Sequence, residues 1–254
     1  MFNWTQEWQL NFNAAKCKIL HIGENNPKHS YYIGNGNSRN EIEKTELEKD
    51  LGVLVDPELN FESHIEHTVK RASSKKATIL RNFSYRSKNV LVPLFKTLVR
   101  PILEYANVVW DSSFRSQINL LEHVQRSYTR HILEVKKLPY EERLKKLALP
   151  SLEFRRFRGD MIELYKIAHN KYDRTSIDSL FHFVQNSRLR GHSFKVAKFA
   201  CRKRQYQHFF TNRSVNHWNK LSQNTVQSTS LNAFKNNIDK TFNHLMYKTN
   251  IFKT

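Results

Sequence analysis

Nucleotidyl transfer, hydrolysis and metal binding each demand particular residues at particular spacings. Two-metal nucleotidyl transfer needs carboxylates converging on a pair of divalent ions. The aspartates Asp50, Asp56, Asp111, Asp160, Asp173, Asp178 and Asp239 include no adjacent pair, and none is flanked by apolar strand–turn–strand residues. A zinc site takes four ligands, usually as two local pairs. Cys17 and His21 are four apart and His64 and His67 three apart, but Cys201 has no cysteine nearby, and His192, His208 and His217 are scattered among basic residues. A zinc knuckle is therefore not supported. GxSxG, P-loop and HExxH patterns are missing from the chain, which removes the common hydrolase, NTPase and metalloprotease signatures.

Cations dominate what remains. The chain carries a formal net charge of +19 over 254 residues, which favours a polyanionic partner, nucleic acid being the commonest. Lys70, Arg71, Lys75, Lys76 and Arg81 recur at helical spacing, and a helix face of that kind tracks phosphates without reading bases. Arg126 and Arg130 lie off the apolar face of a later helix, and Arg155, Arg156 and Arg158 surround the first turns of another. The most basic part holds Arg188, Arg190, Lys195, Lys198, Arg202, Lys203 and Arg204, interleaved with Phe194, Phe199 and Tyr206. Phe194 or Tyr206 is available to stack a base, although aromatics in such a pattern more often belong to the core.

The elements that must position these cations are mainly helical. Six glycines and six prolines are few for a chain of this length, and the apolar residues recur at threes and fours. Residues 94–110, LFKTLVRPILEYANVVW, organise the pattern, with Leu91, Leu94, Phe95, Leu98, Ile102, Ala106 and Val109 on one expected face. Pro101 lacks an N–H and predicts a kink or break at Arg100. Helices are expected over residues 61–83, 89–99, 101–111, 117–135, 139–147 and 151–168, and from Ser230 to about residue 246, with Ser151 as an N-cap. In 61–83, Ile65, Val69, Ala72, Ile79, Leu80 and Phe83 form the apolar side, and Lys76 snorkels at its edge. Residues 1–57 differ: short runs of strand character at 18–22, 31–33, 42–47 and 51–55 predict a small antiparallel sheet or the edge of a larger one, a poor core by itself.

Two cysteines exclude a disulfide framework and argue for a reducing compartment. No signal peptide and no run long enough to cross a bilayer is visible, so an intracellular location, nuclear or cytoplasmic in a ribonucleoprotein, is expected, with no membrane partner.

An ordered series of motifs carries a resemblance. WQLNFNAAKCKILHIG (8–23), EKDLGVLVDPELNFESHI (48–65), LFKTLVRPILEYANVVWD (94–111), LEHVQRSYTRHIL (121–133), SLEFRRFRGDMIELYKI (151–167) and the WN-x-L at Trp218 together resemble the back half of non-LTR retrotransposon reverse transcriptases. The resemblance implies a fold that is mainly α, with a small N-terminal antiparallel β remnant (the palm edge, 1–57), a helical thumb (58–137) and a basic helical C-terminal region (138–254). It gives Lys16 the place of the motif D lysine, which approaches the phosphates of the incoming nucleotide. It makes Leu51, Gly52 and Val53 the primer grip, and residues from Phe61 onward a thumb that follows the primer–template by shape and phosphate contact. The family's Tyr-x-Asp-Asp would lie ahead of Trp4, and this sequence does not contain it. Mg²⁺, implied for the intact family, is therefore not expected to be bound by this chain, and polymerisation by it alone is not expected. The implied partners are RNA and/or DNA and the upstream half of a reverse transcriptase. The other reading is a domesticated basic helical module that binds RNA or DNA, or docks on a polymerase, without a polymerase role.

Overall fold

In a computed structural model, residues 7–9, 13–34, 39–172, 181–184, 191–201 and 204–251 are described. Contacts divide the chain into two compact units, Met1–His64 and Ile65–Thr254.

The described residues of the first unit contain six short strands: β1 (Lys18–Leu20), β2 (Tyr32–Ile33), β3 (Asn40–Glu41), β4 (Glu43–Thr45), β5 (Glu48–Asp50) and β6 (Val53–Val55). The small β region expected is present, but its strands do not form one antiparallel sheet. Among the described residues they pair two by two, β2 with β3 and β5 with β6 antiparallel, and β1 with β4 parallel. The reason lies in composition: Val53 and Phe61 are the only buried hydrophobic residues described in this unit, too few to hold a continuous sheet against a core. The β5–β6 hairpin is the best-specified part. Leu51 and Gly52 both have positive φ, 44° and 89°, the type I′ geometry whose twist suits a two-residue hairpin loop. Asp56 organises the exit: its carboxylate accepts the N–H groups of Glu58, Asn60 and Phe61, the last at 2.7 Å. His64 Nδ1 accepts the Leu54 N–H at 3.2 Å.

Helix α1 (Glu62–Asn82) runs 21 residues. Ile65, Ala72 and Ile79 are buried along it, while Phe83, expected inside, is 40% exposed just past its end. The organising stretch departs from expectation. α2 (Lys88–Leu94) passes into a π turn over Phe95–Val99 and then into α3 (Arg100–Glu104). The Arg100 N–H reaches back to the Phe95 carbonyl, so the wider turn, rather than a break, accommodates the donor that Pro101 lacks. The π turn also rotates the face. Leu91, Phe95, Val99 and Leu103 are buried, whereas Leu98 and Val109 are exposed. The second expected helix splits at Ala106, which is left-handed (φ 52°), and resumes as α4 (Asn107–Trp110).

α5 (Arg115–Thr129) stops short of Val135 and buries Leu121, Val124 and Tyr128 while exposing Leu120. The Tyr128 ring lies 5.0 Å from Phe95, and its hydroxyl donates to the Leu91 carbonyl at 2.8 Å. α6 (Tyr140–Leu147) and α7 (Leu152–Ala168) follow as expected, and Ser151 accepts the Phe154 N–H as the N-cap. Glu122, on α5, accepts the N–H groups of Leu152 and Glu153 and the Tyr140 hydroxyl. A carboxylate at a helix start is favoured by the dipole, although burial raises the Glu122 pKa. The remainder comprises α8 (Arg204–His208), α9 (Phe210–Arg213), α10 (Val215–Trp218), α11 (Gln223–Val226) and α12 (Leu231–Thr241). They close a core on α7 in which Tyr165 stacks on Phe234 at 4.3 Å and Trp218 is fully buried. The chain is thus mainly helical with a small region of strand pairs. No helix among the described residues is long and apolar enough to cross a membrane.

Candidate nucleic-acid interface

α1 separates its residues sharply. Lys70, Arg71, Lys75 and Arg81 are all exposed, whereas Ile65, Ala72 and Ile79 are buried. Among the described residues none of these four cations enters an ion pair. From Lys70 to Arg81 the helix rises roughly 16 Å, enough to meet several phosphates in succession. Lys76 sits at the edge, half-buried, with its ammonium donating to the Ser127 hydroxyl at 2.8 Å. This is the snorkelling expected of it, and it ties α1 to α5.

Arg126, on α5, is half-buried, and Arg130, the residue that caps the end of α5, is exposed. The Arg126 guanidinium lies 4.7 Å from the centre of the Tyr140 ring.

The arginines that open α7 serve differently. Successive residues on a helix fan out by about 100°, and α7 is covered on several sides, so each arginine meets a different neighbour. Arg155 pairs with Glu104 through two hydrogen bonds, one of them Nη2 to Oε2 at 2.9 Å. Arg156, 1% exposed, gives its Nε to Asp111 at 2.6 Å. Arg158 holds Asp239 at 2.5 and 2.8 Å. These guanidiniums neutralise internal carboxylates and stand apart from the exposed cations of α1.

Arg213, which sequence reasoning missed, completes that set. Its Nε and Nη2 hold the Asp160 carboxylate at 2.7 and 2.9 Å, and it reaches Asp111 at 3.9 Å. No local signal marked it, because its partner lies 53 residues away. The fold therefore gathers two aspartates that the sequence keeps apart, beside a cleft of about 690 Å³ that Lys198 and Cys201 also line. Burial raises the Asp160 carboxyl to about 6 against the opposing pull of Arg213. With Arg156 and Arg213 beside them, both carboxylates are held in ion pairs. Among the described residues no group of three or more His, Cys, Asp or Glu gathers as a metal would require.

In the C-terminal basic part, Lys195 is half-buried and Lys198 exposed. Arg188, Arg190, Arg202 and Lys203 fall outside the described residues, and Arg204 is described only as the first residue of α8. Phe194 is half-buried, its ring 5.0 Å from His169 and its carbonyl accepting the Trp218 Nε1–H. Tyr206 is 61% exposed. In the first unit, Lys16 ends a short 3₁₀ turn and is exposed. Leu51 and Gly52 form the tip of the β5–β6 hairpin, and Val53, paired with Asp50 next to that tip, is buried.

The chain is 27% identical over 147 residues to an uncharacterized protein of Caenorhabditis elegans, B0403.1, a match covering 57% of this chain and 70% of that protein. It is 26% identical over 132 residues to the RNA-directed DNA polymerase from mobile element jockey of Drosophila funebris, covering 51% of this chain but 14% of the polymerase. No protein-family model and no solved structure matches it.

Proposed function

We propose that this chain is the C-terminal part of a non-LTR retrotransposon reverse transcriptase, from palm motifs D and E through thumb and C-terminal extension. It binds RNA and DNA without sequence preference. The observation that carries the reading is that Lys70, Arg71, Lys75 and Arg81 are exposed along α1 and enter no ion pair among the described residues. The match to the jockey polymerase supports it. In this reading α1 lies along the phosphates of a primer–template, the β5–β6 hairpin tip serves as the primer grip, and Lys16 faces the phosphates of an incoming nucleotide. The aspartates that would hold two metal ions are not in this sequence, so the chain alone extends no primer with Mg²⁺.

The test is fluorescence anisotropy of a labelled RNA–DNA duplex across a salt series. Several phosphate contacts lower affinity about a thousandfold between roughly 50 and 200 mM salt. The triple variant Lys70→Gln/Arg71→Gln/Lys75→Gln weakens binding and lowers the salt slope by about three. Absent or salt-insensitive binding rejects the proposal.

A second reading draws on the C. elegans match, which covers most of that protein. The helical body then acts as a freestanding nucleic-acid-binding or polymerase-docking module. Duplex binding without association with a polymerase half favours the binding form, and co-purification with one favours docking.

A further inference from the structure

Arginines are treated unequally in this fold. Arg115, Arg155, Arg156, Arg158 and Arg213 each meet a carboxylate. Arg126, Arg130 and Arg143, grouped where the end of α5 meets α6, enter no ion pair among the described residues. Carboxylates close by in the sequence hold other hydrogen-bond donors: Glu122 the Tyr140 hydroxyl and two N–H groups of α7, Glu134 the Lys88 N–H, and Glu141 the Thr249 N–H. Glu142 is exposed and makes no ion pair among the described residues.

Arg143 is the unusual member. It is 3% exposed, its Nη2 donates to the Arg126 carbonyl at 3.3 Å, and its Nε has no hydrogen-bond partner. A buried guanidinium without a counter-charge is costly. Arg126 and Arg143 lie 4.7 and 5.4 Å from the centre of the same Tyr140 ring. The Tyr140 hydroxyl is held by Glu122, so the ring is anchored beneath both. Arg130 follows Arg126 by one helical turn on the same side. Burial, and the Arg130 charge next to it, hold the Arg143 guanidinium below its ordinary value, as expected when like charges are crowded without an anion. Exposed Lys136 and Lys137 lie in the connection that follows.

We infer that Arg126, Arg130 and Arg143 form a phosphate-binding site, with the Tyr140 ring positioning two of the three guanidiniums. Planar guanidinium forks match phosphate oxygens in pairs. The source of the phosphate is a nucleic-acid backbone or a free phosphate compound. Assigning it to a backbone rests on the nucleic-acid reading above, but the site itself does not.

The experiment uses the full chain and two probes. The first is inorganic phosphate titrated against chloride at constant ionic strength, read as the thermal unfolding midpoint. Phosphate raises the midpoint of the wild type and not that of Arg126→Gln/Arg130→Gln. If the double variant is too unstable to read, exposed Arg130→Gln alone shows a reduced rise. The second probe is the labelled RNA–DNA duplex. A backbone source weakens duplex binding about tenfold in the double variant and lowers its salt slope by about two. Loss of the phosphate response with duplex binding unchanged retains the site and assigns it to a free phosphate compound. No rise in the wild type, or an equal rise in the variants, overturns the site. Failure of the wild type to bind duplex tells only against the nucleic-acid reading, because the phosphate arm does not depend on it.

Discussion

The Arg213 guanidinium grips the Asp160 carboxylate through two hydrogen bonds, Nε to Oδ2 at 2.7 Å and Nη2 to Oδ1 at 2.9 Å. The same arginine donates to the carbonyls of Val108 and His208, so one side chain joins α4, α7 and the α8–α9 segment. Breaking a buried pair from one side leaves an uncompensated charge and costs about 3–5 kcal/mol. Arg213→Gln is expected to lower stability by that amount in urea denaturation, and Asp160→Asn/Arg213→Gln to recover part of the loss. Additive losses in the double variant would refute the coupling.

His192 sets an acid limit on the helical unit. It is 3% exposed, its Nε2 meets the Trp218 carbonyl at 2.9 Å, and its Nδ1 has no partner. Burial is the main cause holding its pKa below the usual value. A folded pKa below the unfolded value of about 6.5 means that protonation favours unfolding. Its contribution is fully present above that value and is lost as pH falls through the folded pKa. His131 and His217 shift in the same direction, also chiefly through burial. Asp160 acts oppositely: its raised carboxyl favours the folded state as pH falls from about 6. Denaturation midpoints measured from pH 7.5 down to 5 are expected to fall less steeply for His192→Gln than for the wild type.

How far the sequence foretold the fold depends on how local each cause is. Ser151 and Ser230 both cap through their own hydroxyls, to Phe154 and Ala233, and α1, α6, α7 and α12 follow apolar periodicity, so their signals lie within a few residues. The π turn before Pro101 shifts the buried face from Leu98 to Val99, because periodicity assumes an unbroken helical phase. Ala106 enters the left-handed region with no glycine or asparagine to announce it. The role of the α7 arginines was the least legible. Arg155, Arg156 and Arg158 resemble any basic cluster, and only carboxylates 45 to 81 residues away show what they neutralise.

That distinction is measurable. Arg158→Gln removes a partly exposed pair with Asp239, costing about 1 kcal/mol or less, and is expected to leave the salt slope of duplex binding unchanged. Lys75→Gln, on the exposed face of α1, is expected to leave the urea midpoint unchanged and to lower the slope by about one. Anisotropy and urea denaturation on the same two variants decide it, and the reverse pattern would exchange the roles of the two elements.

The tip of the β5–β6 hairpin combines two costs. Leu51 is 85% exposed and holds a φ of 44°, a region that asparagine and glycine enter more readily than leucine. Asn-Gly is the preferred pair for this turn, so Leu51→Asn is expected to stabilise the hairpin by about 1 kcal/mol. If the proposed primer grip uses the leucine as an apolar contact, the same substitution weakens binding of a recessed primer–template more than that of a blunt duplex. Stability rises and primer-end affinity falls in one variant, a pairing that a purely structural turn would not produce. Gains in stability with equal affinity for both duplexes would remove the primer-grip role from this hairpin.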